Sequence, residues 1–285
     1  MWAGGKTRLL KHYRDIWPNA EGCDAYVEPF FGGGAVFGWL ARRNSPLLQR
    51  ALVRDSNAEL MGMLQEIRQD PSGFILRTER LARAYLPLNH TERKKWFYAQ
   101  REKYWDAPTP WRLYLLMRTG FNGIWQTCKA SNGLFGTPAG LLNHSRMEQL
   151  VPRDLINEWS RALHTTRITS GDFASTPIPA HSRCLIFLDP PYRDSFTTYG
   201  AVFGDAEQTR VCGWLRQLHE AGHTVVLANR CVAGDSFFED LIGDICDFHY
   251  IDVVYTAGRR KRTADGYSAK PARELLAITR STYAP

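Results

Sequence analysis

Residues 184–194 read CLIFLDPPYRD. The first five, Cys184 to Leu188, are apolar on both faces, as in a short buried strand. Pro190 and Pro191 lack N–H donors and fix φ, so they cannot continue it. The strand is expected to stop at Asp189, leaving Asp189 and Tyr192 on a stiff loop at its carboxyl end. In open α/β sheets that is where ligands bind. Asp-Pro is also an ordinary turn former, and the tetrapeptide alone is compatible with either role.

Outward from this stretch, strands and helices alternate. Ala25-Tyr26-Val27-Glu28, Arg50 to Arg54 ending at Asp55, Arg167-Ile168-Thr169 and Thr224 to Ala228 read as further short strands. Helices are expected near 34–43 and 205–220. This alternation predicts an α/β fold, a mostly parallel sheet with helices on both faces. Strands near 247–255 and 273–279 have no helix between them and are expected to form an antiparallel C-terminal hairpin. Residues 57–120 are helix-like and rich in Arg, Leu, Trp and Tyr, and 120–140 turn Gly-, Asn- and Thr-rich (GFNGIWQTCKASNGLFGTPAG). The simplest organisation is one α/β domain built from 1–56 and 166–285, with a helical insert over 57–165.

The 285 residues are 44% hydrophobic and 23% charged, a globular rather than a disordered balance. A net charge of +7 favours an anionic partner, nucleic acid before membrane. The six cysteines include no CxxC pair and read as reduced core residues of a cytosolic protein. No stretch is long and apolar enough to span a bilayer, and no signal-peptide pattern is seen. A cytoplasmic protein is expected, with no membrane and no obligate protein partner.

The segment YVEPFFGGGAVFGWL places Gly32, Gly33 and Gly34 between a strand and a helix. Glycines there let a ligand approach the backbone, and the helix start supplies free N–H groups. Phe37 stands where the dinucleotide fingerprint needs its third glycine, so a pyrophosphate ligand is weakly supported. Asp55, ending the next strand, has the position of a ribose-binding acid. A nucleoside-containing cofactor is expected; a flexible turn and a surface Asp are the alternative.

Trp2-Ala3-Gly4-Gly5-Lys6, Glu28-Pro29-Phe30-Phe31-Gly32-Gly33-Gly34, Asp55 and Asp189-Pro190-Pro191-Tyr192 follow one another along the chain. In that order the blocks resemble the Dam-type DNA adenine-N6 methyltransferases over most of the chain. The resemblance implies a Rossmann-like methyltransferase sheet with a helical DNA-recognition insert. It implies S-adenosylmethionine as cofactor and the N6 amine of adenine in double-stranded DNA as target. Catalytic roles fall to Asp189, Pro190 and Tyr192. Phe31, Gly32 and Gly34 match the cofactor loop, Asp55 the ribose contact, and Asp172 with Phe173 the adenine contact. Trp2 and Lys6 match residues at the methionine end and the site entrance.

Arg118 to Gly123 resembles the family's DNA-contacting segment, with Phe121 as a wedge into the base stack and Asn122 as a base contact. Arg259, Arg260, Lys261 and Arg262 set four cations at the tip of the last hairpin, suited to phosphates or to a solvated surface. Gln126 stands where GATC-reading members carry arginine. Glutamine pairs more readily with adenine than with guanine, so GATC is only one option for the target.

His219-Glu220-Ala221-Gly222-His223 satisfies HExxH literally. Gly222 and the following strand separate its histidines, so no metal is expected. The Trp and Tyr residues of the insert read as core. Cytosine-N4 methylation, a non-catalytic DNA-binding relative and a hydride-transferring Rossmann enzyme stand as alternatives. The last lacks its glycine fingerprint and has no use for Asp-Pro-Pro-Tyr.

Overall fold

Cys184–Leu188 lies at the centre of a seven-stranded sheet. The computed structural model describes residues 9–193, 203–232, 234–255, 262–263, 266–267 and 270–281. Its strands are β1 (Ala25–Glu28), β2 (Ala51–Asp55), β3 (Arg167–Ser170), β4 (Cys184–Leu188), β5 (Thr224–Cys231), β6 (Cys246–Tyr255), β7 (Arg262–Thr263), β8 (Gly266–Tyr267) and β9 (Lys270–Thr279). The sheet order is β3-β2-β1-β4-β5-β9-β6, and β7 pairs with β8 apart from it. The first five strands are parallel, while β9 runs antiparallel to both β5 and β6.

This is the sheet expected from the sequence, with two longer strands. β5 runs to Cys231 instead of stopping at Ala228, because Arg230 and Cys231 still have partners in Glu274 and Arg273 of β9. β9 starts at Lys270, where the pairing with Tyr255 begins.

The helices are α1 (Leu10–Ile16), α2 (Ala35–Ala41), α3 (Ala58–Gln69), α4 (Pro71–Tyr85), α5 (His90–Asp106), α6 (Pro110–Thr119), α7 (Met147–Leu150), α8 (Arg153–Ala162), α9 (Asp205–Glu220) and α10 (Phe237–Ile242). Strand side chains alternate between faces, so an all-apolar strand needs cover on both. On one face, Val27, Ile186, Leu188 and Leu227 pack against Val211 and Leu215 of α9 and Phe238 of α10. On the other, Tyr26, Phe187, Val226 and Leu276 join α1, α2 and the helices of the insert in one continuous apolar cluster. Tyr85 and Tyr104 of the insert are buried in that cluster.

Asn57 and Asp70 cap α3 and α4, and Asn89 with Glu92 forms a capping box on α5. α9 ends at Glu220, and Gly222 turns the chain with φ +86°. His223 lies beyond that turn, its Nδ1 accepting from the Cys184 N–H at 3.2 Å. The two histidines of the HExxH pattern therefore share no helical face. No helix among the described residues is long and apolar enough to cross a membrane.

The insert meets the start of α2 through the Trp159 ring. Trp159 of α8 stacks on Phe37, with centroids 5.9 Å apart and planes at 19°, and meets Phe31 edge-on at 6.3 Å. Gly34 has φ +61°, and a Cβ there would stand 2.5 Å from Phe31 Cζ and 2.7 Å from Trp159 Cη2. Gly38, one turn on, would bring its Cβ only to 3.3 Å from Trp159 Cζ2. Gly34→Ala is expected to destabilise the protein by about 2–3 kcal/mol in urea unfolding, from overpacking plus backbone strain. Gly38→Ala is expected within about 1 kcal/mol of the unaltered protein, since helix propensity offsets its milder crowding. Equal effects would remove the special role of position 34.

Candidate active site

The strand order reverses between β1 and β4. From β1 the chain builds outward to β2 and β3, then returns to lay β4 against the other side of β1, Val27 opposite Ile186. The loops leaving these two neighbours, Glu28 to Gly34 and Asp189 to Tyr192, thus open on the same crevice. At each strand end an acid stands before proline: Glu28 closes β1 and Asp189 follows β4, so neither strand continues into its loop.

The first loop is tied to β2. The Phe31 N–H donates to the Arg54 carbonyl at 2.9 Å, and the Gly32 N–H, at φ +46°, to Asp55 Oδ2 at 2.8 Å. Asp55 Oδ1 accepts from the Asn57 N–H at 2.9 Å. Burial pushes the Asp55 carboxyl above its ordinary range, and these two N–H groups partly oppose the rise. One carboxylate therefore shapes the glycine turn and the start of α3 together.

Adjacent phenylalanines on this loop part company. Phe31 is 2% exposed, its ring closed in by Phe37 and Trp159. Its backbone belongs to the loop, but its ring lies in the apolar layer beneath. Phe30, to which the sequence assigned no role of its own, faces the other way, 5.0 Å from Phe173 and 6.1 Å from Phe203. These three rings line one side of the crevice next to Asp172.

Asp172 accepts from the Ala174 N–H at 3.0 Å and is gripped by the Arg210 guanidinium of α9, Nη1 to Oδ2 at 2.9 Å. Arg210 holds the Asp172 carboxyl below its usual range, with Cζ 4.4 Å over the Phe173 ring. Arg54 fixes the backbone beneath through Asp172 O, Thr169 Oγ1 and Ser175 Oγ. Arg210 was invisible in the sequence because its partner lies 38 residues away.

Glu28 is 2% exposed and accepts from the Tyr26 hydroxyl at 2.8 Å and from the Phe37 N–H. Burial first, and the nearby Asp189 charge after it, raise the Glu28 carboxyl well above the usual range. Two acids at neighbouring strand ends thus differ in character: Glu28 is held toward its neutral form near Asp189. In the second loop, the Tyr192 hydroxyl donates to Glu274 of β9, which anchors the tip of the ring. Glu274 was legible only as an odd acid in the apolar run of β9.

The segment 120–140 forms a closed lasso on the insert. Gly120 bridges Ala139, the Phe121 N–H reaches the Pro138 carbonyl at 2.9 Å, and the Gly136 N–H reaches the Gln126 carbonyl at 2.6 Å. Trp125 and Phe135 fill its interior, 5.4 Å apart. Glu59 of α3 accepts from the Phe135 N–H and the Tyr104 hydroxyl, and Trp105 Nε1 donates to the Phe135 carbonyl at 2.9 Å. Phe121, 47% exposed, and Asn122, at φ +52°, stand on the outer turn. Gln126 is partly exposed, while Arg118 is turned inward, donating to the Gln149 carbonyl. Trp2, Lys6, Arg259, Arg260 and Lys261 lie outside the described residues, and Arg262 is described only by its backbone in β7.

Comparison with known proteins bears on this geometry. The sequence pattern of the D12 class N6 adenine-specific DNA methyltransferases matches residues 2–257. The chain is 27% identical over 244 residues to the Type II methyltransferase M.MjaIII of Methanocaldococcus jannaschii, covering 80% of this chain and 82% of that one. It is 28% identical over 272 residues to the Type II methyltransferase M1.LlaDCHI of Lactococcus lactis subsp. cremoris, covering 91% and 88%. It is also 26% identical over 237 residues to the DNA adenine methylase of Haemophilus influenzae, covering 79% and 76%. The family match spans both crevice loops and the lasso between them, and it decides between the two exocyclic amines left open by the sequence. The chain belongs to the D12 class of N6 adenine-specific DNA methyltransferases, enzymes that act on adenine in DNA.

Proposed function

We propose that the protein transfers the methyl group of S-adenosylmethionine to N6 of an adenine turned out of double-stranded DNA, with the crevice between β1 and β4 as its active site. The observation that carries this reading is the juxtaposition of Asp189-Pro190-Pro191-Tyr192 with the Glu28–Gly34 loop at the reversal of strand order.

The residues present fit the cofactor. Phe30 and Phe173 offer an apolar wall for an adenine ring, and Asp172 beside it can accept from an exocyclic amine. Asp55, whose oxygens each take one backbone N–H, keeps lone pairs for the ribose hydroxyls. Gly32 and Gly34 form the turn between these parts, with Phe31 packed beneath it. Trp2 and Lys6 complete the methionine end in this reading. Bound S-adenosylmethionine supplies an electrophilic methyl carbon on sulfonium.

The N6 amine is a poor nucleophile because its lone pair is delocalised into the purine. Asp189 accepts one N6–H and the Pro190 carbonyl the other, which favours a pyramidal nitrogen and localises the lone pair. The same two acceptors stabilise the positive charge that develops during attack. Glu28, held toward its neutral form, leaves the negative charge of this corner on Asp189. Tyr192 stacks on the base, its ring fixed through Glu274. The amine proton leaves after transfer, when the nitrogen is far more acidic, so Asp189 need not remove it beforehand.

The lasso is suited to the DNA. Phe121 on its outer turn is shaped to fill the space an extruded base vacates, with Asn122 and Gln126 next to it for base edges. Arg118 acts through the shape of the segment it braces, and Arg259, Arg260, Lys261 and Arg262 add phosphate contacts.

Asp189→Ala is expected to lower N6-methyladenine formation by at least about 10²-fold while DNA and cofactor dissociation constants move only a few fold. Mass analysis of nucleosides digested from mixed-sequence duplex DNA provides the readout; substantial turnover in the variant would sink the role given to Asp189. Cofactor affinity should carry the signature of Asp55. Protonation removes acceptor capacity, and a raised carboxyl gains its proton at higher pH than an ordinary aspartate. Affinity should therefore weaken as pH falls from about 7 toward about 4, and Asp55→Asn should flatten that dependence. Calorimetric titration showing the same slope in both proteins would remove Asp55 from the ribose contact.

A further inference from the structure

Beyond the residues that face the crevice, the second loop is held by three polar side chains, of which the mechanism above uses only Glu274. We propose that Gln208, Asn229 and Glu274 are positioning residues that aim the Pro190 carbonyl and the Tyr192 ring at the target base; this rests on the reading of Asp189-Pro190-Pro191-Tyr192 given above. Gln208 and Asn229 are 0% exposed and Glu274 is 1% exposed. They come from α9, β5 and β9, and they engage three successive loop residues. Gln208 Nε2 donates to the Pro191 carbonyl at 2.7 Å, the Tyr192 hydroxyl donates to Glu274, and Asn229 Oδ1 accepts from the Arg193 N–H at 3.1 Å.

The amide orientations are fixed from both ends. Asn229 Oδ1 faces two groups that can only donate, the N–H of Arg193 and that of Arg230 at 2.8 Å. Its Nδ2 is thereby turned to Gln208 Oε1 at 3.1 Å, which leaves Gln208 Nε2 for the Pro191 carbonyl, a group that can only accept. Reversing either amide would set like groups against each other at every junction.

The loop is gripped from both sides of the sheet. Leu227 lies in the layer under α9, and alternation puts Asn229 on that side. Leu276 lies in the opposite layer, and Glu274 shares its side. Arg193 adds an anchor beyond the loop, its guanidinium paired with Asp205 and Asp235 and its Cζ 4.2 Å over Phe237.

Stereochemistry connects this grip to the chemistry. The Pro191 ring fixes its own φ, and peptide units are planar. With φ fixed, holding the Pro191 carbonyl sets ψ of Pro191 and so the angle between its two flanking peptide planes. The plane on the amino side carries the Pro190 carbonyl. Gln208 therefore orients an oxygen it does not touch, one proposed to accept N6–H. Loss of that bond would let the acceptor swing while the cofactor loop, on β1, stays in place.

Single-turnover formation of N6-methyladenine from labelled S-adenosylmethionine and mixed-sequence duplex DNA tests this. Gln208→Ala should lower the rate by about 10–100-fold with DNA and cofactor affinities unchanged within about twofold, the pattern of a misplaced reacting group. Gln208→Glu separates positioning from folding. Protonated, the introduced carboxyl can still donate to the Pro191 carbonyl and accept from Asn229; ionised, it sets acceptor against acceptor. Its rate should approach that of the unaltered protein at low pH and fall as pH rises, along a limb the unaltered protein lacks. Arg193, Asp205, Asp235 and Glu274, the ionisable groups around the loop, are common to both proteins, so the added limb belongs to position 208. A rate for Gln208→Ala within twofold of the unaltered protein, or the same pH profile for Gln208→Glu and the unaltered protein, would overturn the assignment. If the unaltered protein forms no N6-methyladenine, the underlying reading of the site falls before any variant is compared.

Discussion

The site depends on the parallel pairing of β1 with β4. These strands are neighbours in space, yet the chain between them builds β2, the helical insert and β3 before it returns. Only this detour reverses the direction of strand addition and leaves a crevice at the carboxyl ends. Proline after Glu28 and again after Asp189 ends both strands at the floor of that crevice. Had β4 run two residues further, Asp189 would belong to a ladder instead of a loop.

The adjacent acids create an electrostatic problem that their environments solve unequally. Two ionised carboxylates at neighbouring strand ends would repel, and the developing charge on an amine needs only one anionic partner. Glu28 is withdrawn from water on the strand itself, with the Tyr26 hydroxyl and the Phe37 N–H as its partners. Asp189, one residue beyond β4, begins the loop. Burial, more than sequence distance, thus divides the roles. Holding Glu28 toward its neutral form is part of how the fold tolerates a second acid here.

Much of this was legible in the residues. Short apolar runs gave the strands, glycine and proline their ends, and the order of the acid-containing blocks gave the family. What escaped were groups whose meaning depends on register. Phe30 and Phe31 are identical as letters, and only the geometry of the turn decides which ring reaches Phe173 and which is buried against Trp159. Gln208, Asn229, Arg210 and Glu274 sit in elements that read as ordinary amphipathic helix or buried strand. Asn229 and Glu274 meet the same loop because β5 continues past Ala228, where the sequence ended it, and that extension pairs antiparallel with β9, Arg230 opposite Glu274. A polar residue in an apolar strand was a visible anomaly, but its partner was not.

The insert is more than a platform for the lasso. α3 starts three residues after Asp55, and Asn57, which caps α3, donates its N–H to the Asp55 carboxylate. One residue past the helix start, Glu59 takes the Phe135 N–H at the base of the lasso. Five residues thus connect the carboxylate assigned to the ribose with the root of the segment assigned to DNA. Trp159 makes a second connection, from α8 to the glycine turn. Both run through short, buried contacts in a close-packed core, where displacement at one end is transmitted and not absorbed. An enzyme that joins two large ligands at one carbon–nitrogen distance needs such stiffness. Methyl transfer requires near-attack alignment, where a misplacement of about 1 Å can cost about 10²-fold in rate, and two long flexible loops could not hold cofactor and base to that tolerance independently.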